Sequence, residues 1–116
     1  MVRGDIYLVK LDPRSGSEQR GHRPGIIVSH NSFNKQSKWK SITIIPLTSS
    51  ERWLKGSPST VLFDKDESGL NKRCAALTHQ ITTIDKSKCV GLIGKCSVKK
   101  LALLDQAISN YLYLKS

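Results

Sequence analysis

Residues 25–29 read Gly-Ile-Ile-Val-Ser, in which three consecutive β-branched residues lie between two small ones. Such a short apolar run is typical of a buried strand. The segment before it, residues 4–11, is rich in strand formers and ends at Asp12-Pro13. The segment after it, residues 42–47, predicts another strand, with Pro46 expected at its end or at a bulge. A sheet is therefore predicted as the centre of the fold.

The rest of the chain adds short strands and one helix. Strands are predicted at residues 60–63, 74–81 and 90–94, a turn or short helix at 31–35, and polar loops at 14–24, 49–58 and 64–72. Ser97 is an expected N-cap, and the apolar residues after it predict one helix face: Val98, Leu101, Leu104, Ile108 and Leu112. This order predicts a mainly β fold, a small SH3-like barrel or strongly bent antiparallel sheet with a C-terminal α-helix.

Length and composition predict one globular domain that spans residues 1–116. The chain has 38% hydrophobic and 24% charged residues, which is an ordinary globular balance. No apolar run approaches the roughly 20 residues that cross a bilayer, and no apolar signal segment follows Met1. A cytoplasmic location without membrane binding is therefore predicted.

The three cysteines, Cys74, Cys89 and Cys96, are odd in number and form no Cys-x-x-Cys pair. This pattern favours buried thiols over a disulfide framework or a zinc site. The carboxylates Asp64, Asp66 and Glu67 lie in a predicted turn, where solvated side chains are expected rather than the ligand cluster of a two-metal nuclease. No metal and no cofactor are predicted.

The charge is the first indication of function. Nineteen Lys and Arg residues against nine Asp and Glu give a formal net charge of +10. A basic excess of this size favours a polyanionic partner such as a nucleic acid. The basic residues are spread over both halves of the chain, so any anion site is expected on the folded body.

Two polar segments could carry chemistry. Residues 16–24 place an acid, two arginines, a histidine, a hydroxyl and an amide within nine positions. Residues 47–50, Leu-Thr-Ser-Ser, are rich in hydroxyl groups and follow a predicted strand. If the two neighbouring strands pair, these segments can converge.

Six motifs, in order along the chain, resemble those of the MazF/PemK (Kid) toxin family. They are Arg3-Gly4-Asp5-Ile6-Tyr7, Leu11-Asp12-Pro13, Gly16-Ser17-Glu18-Gln19, Gly21-His22-Arg23-Pro24, Pro46-Leu47-Thr48-Ser49 and Gln80-Ile81-Thr82-Thr83-Ile84-Asp85. The resemblance implies an SH3-like barrel, a homodimer, and a toxin that arrests growth by sequence-selective, metal-independent cleavage of single-stranded RNA. It also implies inhibition by an acidic antitoxin, with operator DNA bound only through the toxin–antitoxin complex.

The same resemblance assigns catalytic roles to Arg23, Thr48 and Glu18, and His22 matches a histidine of some members. In such a reaction the 2′-hydroxyl attacks the adjacent phosphorus, which yields a 2′,3′-cyclic phosphate and a 5′-hydroxyl. A guanidinium and a hydroxyl suit the charge that grows on the non-bridging oxygens. The alternatives are an Arg23–Glu18 ion pair and a Thr48 hydroxyl that caps a turn.

The identity of the general acid and base is open among Glu18, His22 and His79. Relatives commonly carry a carboxylate where this chain has His79, and Kid-type members carry an arginine where it has Leu77. Thr82 also replaces a usual arginine. The Kid-type acid/base pair therefore does not transfer, and His79 is either catalytic or a surface or RNA-stacking residue.

Further RNA contacts are expected from the loops. Trp39 and Trp53 lie beside basic residues and suit stacking on unpaired bases, with packing against the sheet as the alternative. The other expected contacts are Ser17, Gln19, Arg20, His22, Ser49, Ser50, Gln80, Lys38 and Lys40. Arg14, Arg52 and Lys55 extend an electropositive rim.

Two other functions fit the same features. One is a gyrase poison of the CcdB type, although such proteins rely on a Trp-Gly-Ile type ending and this chain ends Tyr113-Leu114-Lys115-Ser116. The other is a nucleic-acid-binding barrel without catalysis, which the basic charge alone permits.

Overall fold

The computed structural model describes residues 1–12 and 15–114. Pro13 of the Leu-Asp-Pro motif, Arg14 of the expected rim and the terminal Lys115-Ser116 lie outside the described residues. The strands are β1 Asp5–Lys10, β2 His22–Ile27, β3 Ser41–Thr48, β4 Thr60–Phe63, β5 Cys74–Leu77, β6 Thr82–Asp85 and β7 Cys89–Lys95. The helices are α1 Asn31–Asn34, α2 Glu51–Leu54 and α3 Val98–Leu112, with 3₁₀ turns at Glu67–Gly69, Thr78–Gln80 and Lys86–Lys88.

All strand pairs that the structure describes are antiparallel, in the order β4-β5-β3-β2-β1-β7. Strand β3 has two partners on one side: Ser41–Ile44 pair with β6, and Leu47 and Thr48 pair with β5. This change of partner bends the sheet strongly. The predicted mainly β fold with a bent antiparallel sheet and a C-terminal helix is confirmed.

The sheet is not closed into a barrel, because its edge strands β4 and β7 do not pair with each other in the described chain. The two edges approach through the turn Glu67–Gly69, which packs against β7. A Cβ atom on Gly94 would lie 2.0 Å from the carbonyl oxygen of Ser68, so only glycine permits this contact. A packed turn thus lies beside β7 where a closed barrel would have a hydrogen-bonded strand.

The core lies on both faces of the sheet. Ile26 and Ile27 are adjacent in β2 and fully buried, one in each of two apolar clusters, as expected for a strand covered on both sides. The first cluster, which α3 covers, includes Ile6, Ile26, Ile45, Leu47, Phe63, Leu104 and Ala107. The second comprises Val9, Leu11, Ile27, Ile42, Ile44 and Ile84.

Helix α3 begins and ends with side-chain and backbone caps. The Oγ atom of Ser97 accepts a hydrogen bond from the N–H of Lys100, which confirms the predicted N-cap. Leu104 is fully buried, but Val98 is 87% exposed and Leu112 is 46% exposed. The predicted apolar face is therefore too long, because only the middle turns of the helix lie over the sheet.

Several boundaries differ from the sequence prediction. The strand predicted at residues 74–81 ends at Leu77 and continues as the turn Thr78–Gln80. Strand β6 was not predicted, since Ile84 is its one buried residue and the alternation signal is weak. The loop at 49–58 contains the short helix α2. Pro46 lies inside β3 rather than at its end, at the change of partner from β6 to β5, where a missing N–H is tolerated.

Replacement of Leu104 by alanine should destabilise the protein by about 2–5 kcal/mol, because it leaves a cavity between α3 and the sheet. Urea unfolding followed by circular dichroism measures this loss. Leu103→Ala is the matched control, since its side chain is 47% exposed on the same helix, and should cost much less. Equal losses for the two variants would show that α3 is not seated as described.

Candidate functional site

The register between β2 and β3 brings two predicted site residues together. Gly25 lies opposite Pro46 and Ile26 opposite Ile45. The same antiparallel register, continued two residues outward along both strands, sets Arg23 opposite Thr48. Residues directly opposed in an antiparallel pair share a face, with Cβ atoms about 4.5–5.5 Å apart. The convergence of the two polar segments that was expected from the sequence is therefore present.

Arg23 is half-buried, and its side chain is oriented by the backbone of its own loop. Its Nε–H donates a hydrogen bond to the carbonyl oxygen of Arg20 at 3.0 Å. No ion pair with Glu18 is formed in the described residues, so the structural alternative for Arg23 does not apply. Arg23 lines a depression of about 250 Å³ together with His22, Pro24, Leu47, Ser49, Leu70, Asn71, Lys72 and Cys74. We name this the arginine depression.

Thr48 is only 4% exposed, at the end of β3. Its Oγ1 atom accepts a hydrogen bond from the N–H of Ser50 at 3.2 Å, which is the turn-capping contact considered as the alternative role. An oxygen that accepts this bond still has its own proton to donate. Ser49 and Ser50 are exposed beside it, and Ser49 lines the arginine depression.

Lys72 and Asn71 were not predicted as site residues. They belong to the connection between β4 and β5, which the sequence marked only as a turn-rich segment. The fold brings this connection to the arginine depression, where Lys72 adds a second cation. Two cations and several hydroxyl groups at one concave surface suit a phosphate group.

The Gly-Ser-Glu-Gln segment of the first loop is held from a distance by Gln80. The Oε1 atom of Gln80 accepts from the N–H of Gln19 at 2.7 Å, and its Nε2 donates to the carbonyl oxygen of Ser17 at 3.0 Å. One side-chain amide therefore fixes two backbone groups of the loop. Gln80 was expected to contact RNA, and these contacts give it a positioning role in the chain itself.

A second depression of about 350 Å³ adjoins this loop. Its lining residues are Ser17, Glu18, His79, Gln80, Ile81, Thr82 and Tyr111. We name it the histidine depression. It shares Glu18 and Ser17 with the first loop, and Tyr111 comes from the last turn of α3.

The ring of His79 lies between two other aromatic rings. Its centroid is 4.9 Å from that of Trp53 and 6.0 Å from that of Tyr111. Its Nδ1 atom is 3.1 Å from the Oγ atom of Ser59, a hydrogen-bond contact. Burial lowers the pKa of His79 below its ordinary value of 6.5, so the neutral imidazole predominates at neutral pH.

The two tryptophans lie at different places in the fold. Trp53 stacks near His79, and the Arg52 guanidinium lies 5.1 Å from the Trp53 ring centroid. Trp39 is 48% exposed and its ring centroid is 5.1 Å from that of Phe33. It lines a separate depression with Thr43, which lies five residues, or about 17 Å, along β3 from Thr48. Lys38 and Lys40 are exposed next to it in the chain.

Metal-ligand and thiol chemistry find little support in the described part of the chain. No group of three His, Cys, Asp or Glu side chains is arranged to hold a metal ion there. Glu67 instead accepts a hydrogen bond from the N–H of Asp64 and lies 3.7 Å from the Nζ atom of Lys100. Burial raises the pKa of the Cys96 thiol to about 11, which keeps it protonated. In the same residues, no helix has the length and apolar character to span a membrane.

Comparisons with known proteins agree on one family. The family model described as "PemK-like, MazF-like toxin of type II toxin-antitoxin system" matches residues 2–112. Endoribonuclease MazF9 of Mycobacterium tuberculosis is 36% identical over 119 residues, which cover 100% of this chain and 99% of the relative. Endoribonuclease MazF of Staphylococcus saprophyticus is 36% identical over 109 residues, which cover 93% and 88%.

Solved structures of related proteins have the same fold. An endoribonuclease in complex with its cognate antitoxin, from a mycobacterial species, superposes with a TM-score of 0.79 at 21% identity, covering 100% of this chain and 98% of that one. MazF from Deinococcus radiodurans superposes with a TM-score of 0.79 at 21% identity, covering 97% and 96%. At these identities the likeness shows the fold alone.

Replacement of Gln80 by leucine should release the first loop, because leucine can neither accept from Gln19 nor donate to Ser17. Each lost hydrogen bond is worth about 1 kcal/mol. We expect faster exchange of the Gln19 amide hydrogen, measured by NMR. Gln106→Leu is the matched control, since Gln106 bonds only Asn110 on the surface of α3 in the described structure. Unchanged exchange at Gln19 in the Gln80 variant would contradict the proposed positioning role.

The His79 environment predicts a pH dependence of stability. The folded state disfavours protonation of His79, so its contribution to stability is full above the ordinary histidine pKa of 6.5 and is lost as the pH falls below that value. His79→Phe keeps a ring and cannot titrate. The free energy of unfolding of the wild type should therefore fall relative to that of His79→Phe on acidification. Parallel curves for the two proteins would contradict the burial of a neutral imidazole.

Proposed function

Since the chain belongs to the PemK-like, MazF-like toxin family of type II toxin–antitoxin systems, we propose that it is an endoribonuclease that cleaves single-stranded mRNA and arrests growth. Curated relatives with this activity in their names match nearly the whole chain. These names favour a nuclease over a gyrase poison or a non-catalytic barrel. The structural observation that carries the proposal is the placement of Arg23 opposite Thr48 beside a concave, basic surface.

In the proposed reaction, the 2′-hydroxyl of the substrate attacks the adjacent phosphorus and the bond to the 5′-oxygen breaks. The products are a 2′,3′-cyclic phosphate and a 5′-hydroxyl. Negative charge grows on the non-bridging oxygens, and the Arg23 guanidinium supplies planar, permanently charged donors to them. The hydroxyl of Thr48 supplies a further donor. These groups stabilise the transition state without a metal ion or cofactor.

The reaction also moves two protons, one from the 2′-hydroxyl to a base and one from an acid to the leaving 5′-oxygen. His22 is exposed and lines the arginine depression beside Arg23, so it is placed to exchange a proton there. Glu18 lines the neighbouring histidine depression on the same loop. The ring contacts of His79 favour a role in stacking over one in proton transfer.

The basic surface supports binding of the RNA strand. Arg20, Lys38, Lys40 and Lys72 are exposed and can neutralise phosphates, with release of counterions. Ser17, Gln19, Ser49, Ser50, Trp39 and Trp53 are the proposed contacts from the loops. Affinity should accordingly fall with rising salt concentration.

The proposed partners follow from the family and the charge. A related structure contains a cognate antitoxin, and an acidic antitoxin segment would match the net charge of +10. We include a homodimer in the proposal, and contact with operator DNA only through the toxin–antitoxin complex. An mRNA substrate implies action in the cytoplasm.

The test is incubation of the purified protein with a long single-stranded RNA in the presence of EDTA, followed by sequencing of the fragment ends. We expect discrete fragments with 5′-hydroxyl and 2′,3′-cyclic phosphate ends at one short motif. Cleavage that disappears with the chelator would contradict the metal-independent mechanism. An intact RNA with and without added metal ions would contradict the nuclease itself.

Arg23→Ala should lower the cleavage rate by about 10²–10³, in line with the loss of a single transition-state donor. Single-turnover rates on one oligonucleotide measure this effect. Lys99→Ala is the control for net charge, because Lys99 is an exposed residue of α3 outside both depressions. Arg23→Lys should recover only part of the loss, since an ammonium lacks the planar pair of donors. Equal rates for the Arg23 and Lys99 variants would remove Arg23 from the mechanism.

A further inference from the structure

The histidine depression has one aromatic wall and one polar wall. His79 and Tyr111 form the aromatic wall, while Ser17, Glu18 and Thr82 form the polar one. Its volume of about 350 Å³ falls at the lower end of ligand-binding cavities. Gln80 holds the polar wall in place through its two hydrogen bonds to the first loop. The walls therefore come from three distant parts of the chain.

The aromatic wall is the end of a continuous stack. The Arg52 guanidinium lies over Trp53, Trp53 contacts His79, and His79 contacts Tyr111. Tyr111 is the outermost ring, and its side chain is 54% exposed. An exposed ring at the end of such a stack offers a flat surface to another π-system.

The contacts of His79 suit a structural ring better than a group that exchanges protons with the substrate. Its Nδ1 atom is engaged with Ser59, and neighbouring rings lie on both sides of the imidazole. Ser59 is itself held near Ser57, with the two Oγ atoms 3.2 Å apart. The lowered pKa of His79 agrees with a neutral ring in this position.

On the basis of the endoribonuclease function proposed above, we propose that the histidine depression receives one unpaired base of the RNA substrate, stacked on Tyr111 and His79. Every base has a π-face, and stacking on an aromatic side chain is a general way to hold an unpaired base. The polar wall supplies hydroxyl and carboxylate groups to the edge of that base. Because Ser17 and Glu18 share a loop with Arg20, whose carbonyl orients Arg23, the base belongs to a nucleotide near the scissile bond.

The experiment uses the full chain and a short oligoribonucleotide that contains the mapped cleavage motif. A set of substrates lacks the base at one position each. For the wild type, we expect one position at which loss of the base raises KM by roughly five- to 150-fold, the range for stacking on one aromatic ring. Tyr111→Ala should raise KM for the complete substrate by a similar factor. In this variant, loss of the same base should have no further effect, since the two changes remove one interaction.

Three further variants separate stacking from other roles. Tyr111→Phe and His79→Phe keep the rings and should retain KM and kcat within a few-fold, with an unchanged pH profile of kcat. Tyr113→Ala is the matched control, because Tyr113 is an 87% exposed tyrosine at the end of α3 outside the depression. It should behave as wild type. Circular dichroism of each variant checks that the fold is retained, and Tyr111→Leu replaces Tyr111→Ala if the alanine variant unfolds.

Independent KM penalties for base removal and for Tyr111→Ala would overturn the inference, as would an unchanged KM in Tyr111→Ala. A fall in kcat of about 10²–10⁴ in His79→Phe would assign proton transfer to His79 instead. A changed oligomeric state of Tyr111→Ala without coupling to any base would identify Tyr111 as an interface residue. Cleavage of the complete substrate by the wild type keeps these outcomes separate from the failure of the nuclease function.

Discussion

The structure depends on close antiparallel packing of β1, β2 and β3 around Gly25. A Cβ atom at this position would lie 3.2 Å from a methyl group of Val9 and 3.3 Å from one of Ile44, so a larger residue would force the strands to shift. Gly25 also pairs with Tyr7 on one side and with Pro46 on the other. A slip of one residue in this register would move Arg23 to the opposite face, away from Thr48. The pairing that builds the core therefore also builds the site.

The loops around this core are held by a few long-range hydrogen bonds rather than by their own packing. Gln80 binds the backbone of Ser17 and Gln19, more than 60 residues away in the chain. Arg23 is oriented within its own loop by the carbonyl of Arg20. Such fixed donors are what transition-state stabilisation requires, because charge then develops against groups that need not reorganise.

The two depressions divide the proposed work on one strand of RNA. The arginine depression collects cations and hydroxyl groups, which suit a phosphate, whereas the histidine depression collects aromatic rings, which suit a base. Phosphate contacts position a nucleic acid and base contacts select it. The first loop lines both surfaces, through His22 and Arg23 in one and Ser17 and Glu18 in the other. Movement of this loop would therefore affect chemistry and selection together.

The sequence by itself determined the local elements and the chemical types of the site. Apolar alternation and caps predicted most strands, the C-terminal helix and its Ser97 cap, and the motifs predicted Arg23 and Thr48 as site residues. These features are encoded over a few neighbouring residues, which is the range that periodicity reports. Only the tertiary structure decided that the sheet stays open, that Lys72 reaches the arginine depression, and that Tyr111 of α3 meets His79. Those contacts join residues far apart in the chain, and they depend on the bend of β3 and the seating of α3, which no local pattern specifies.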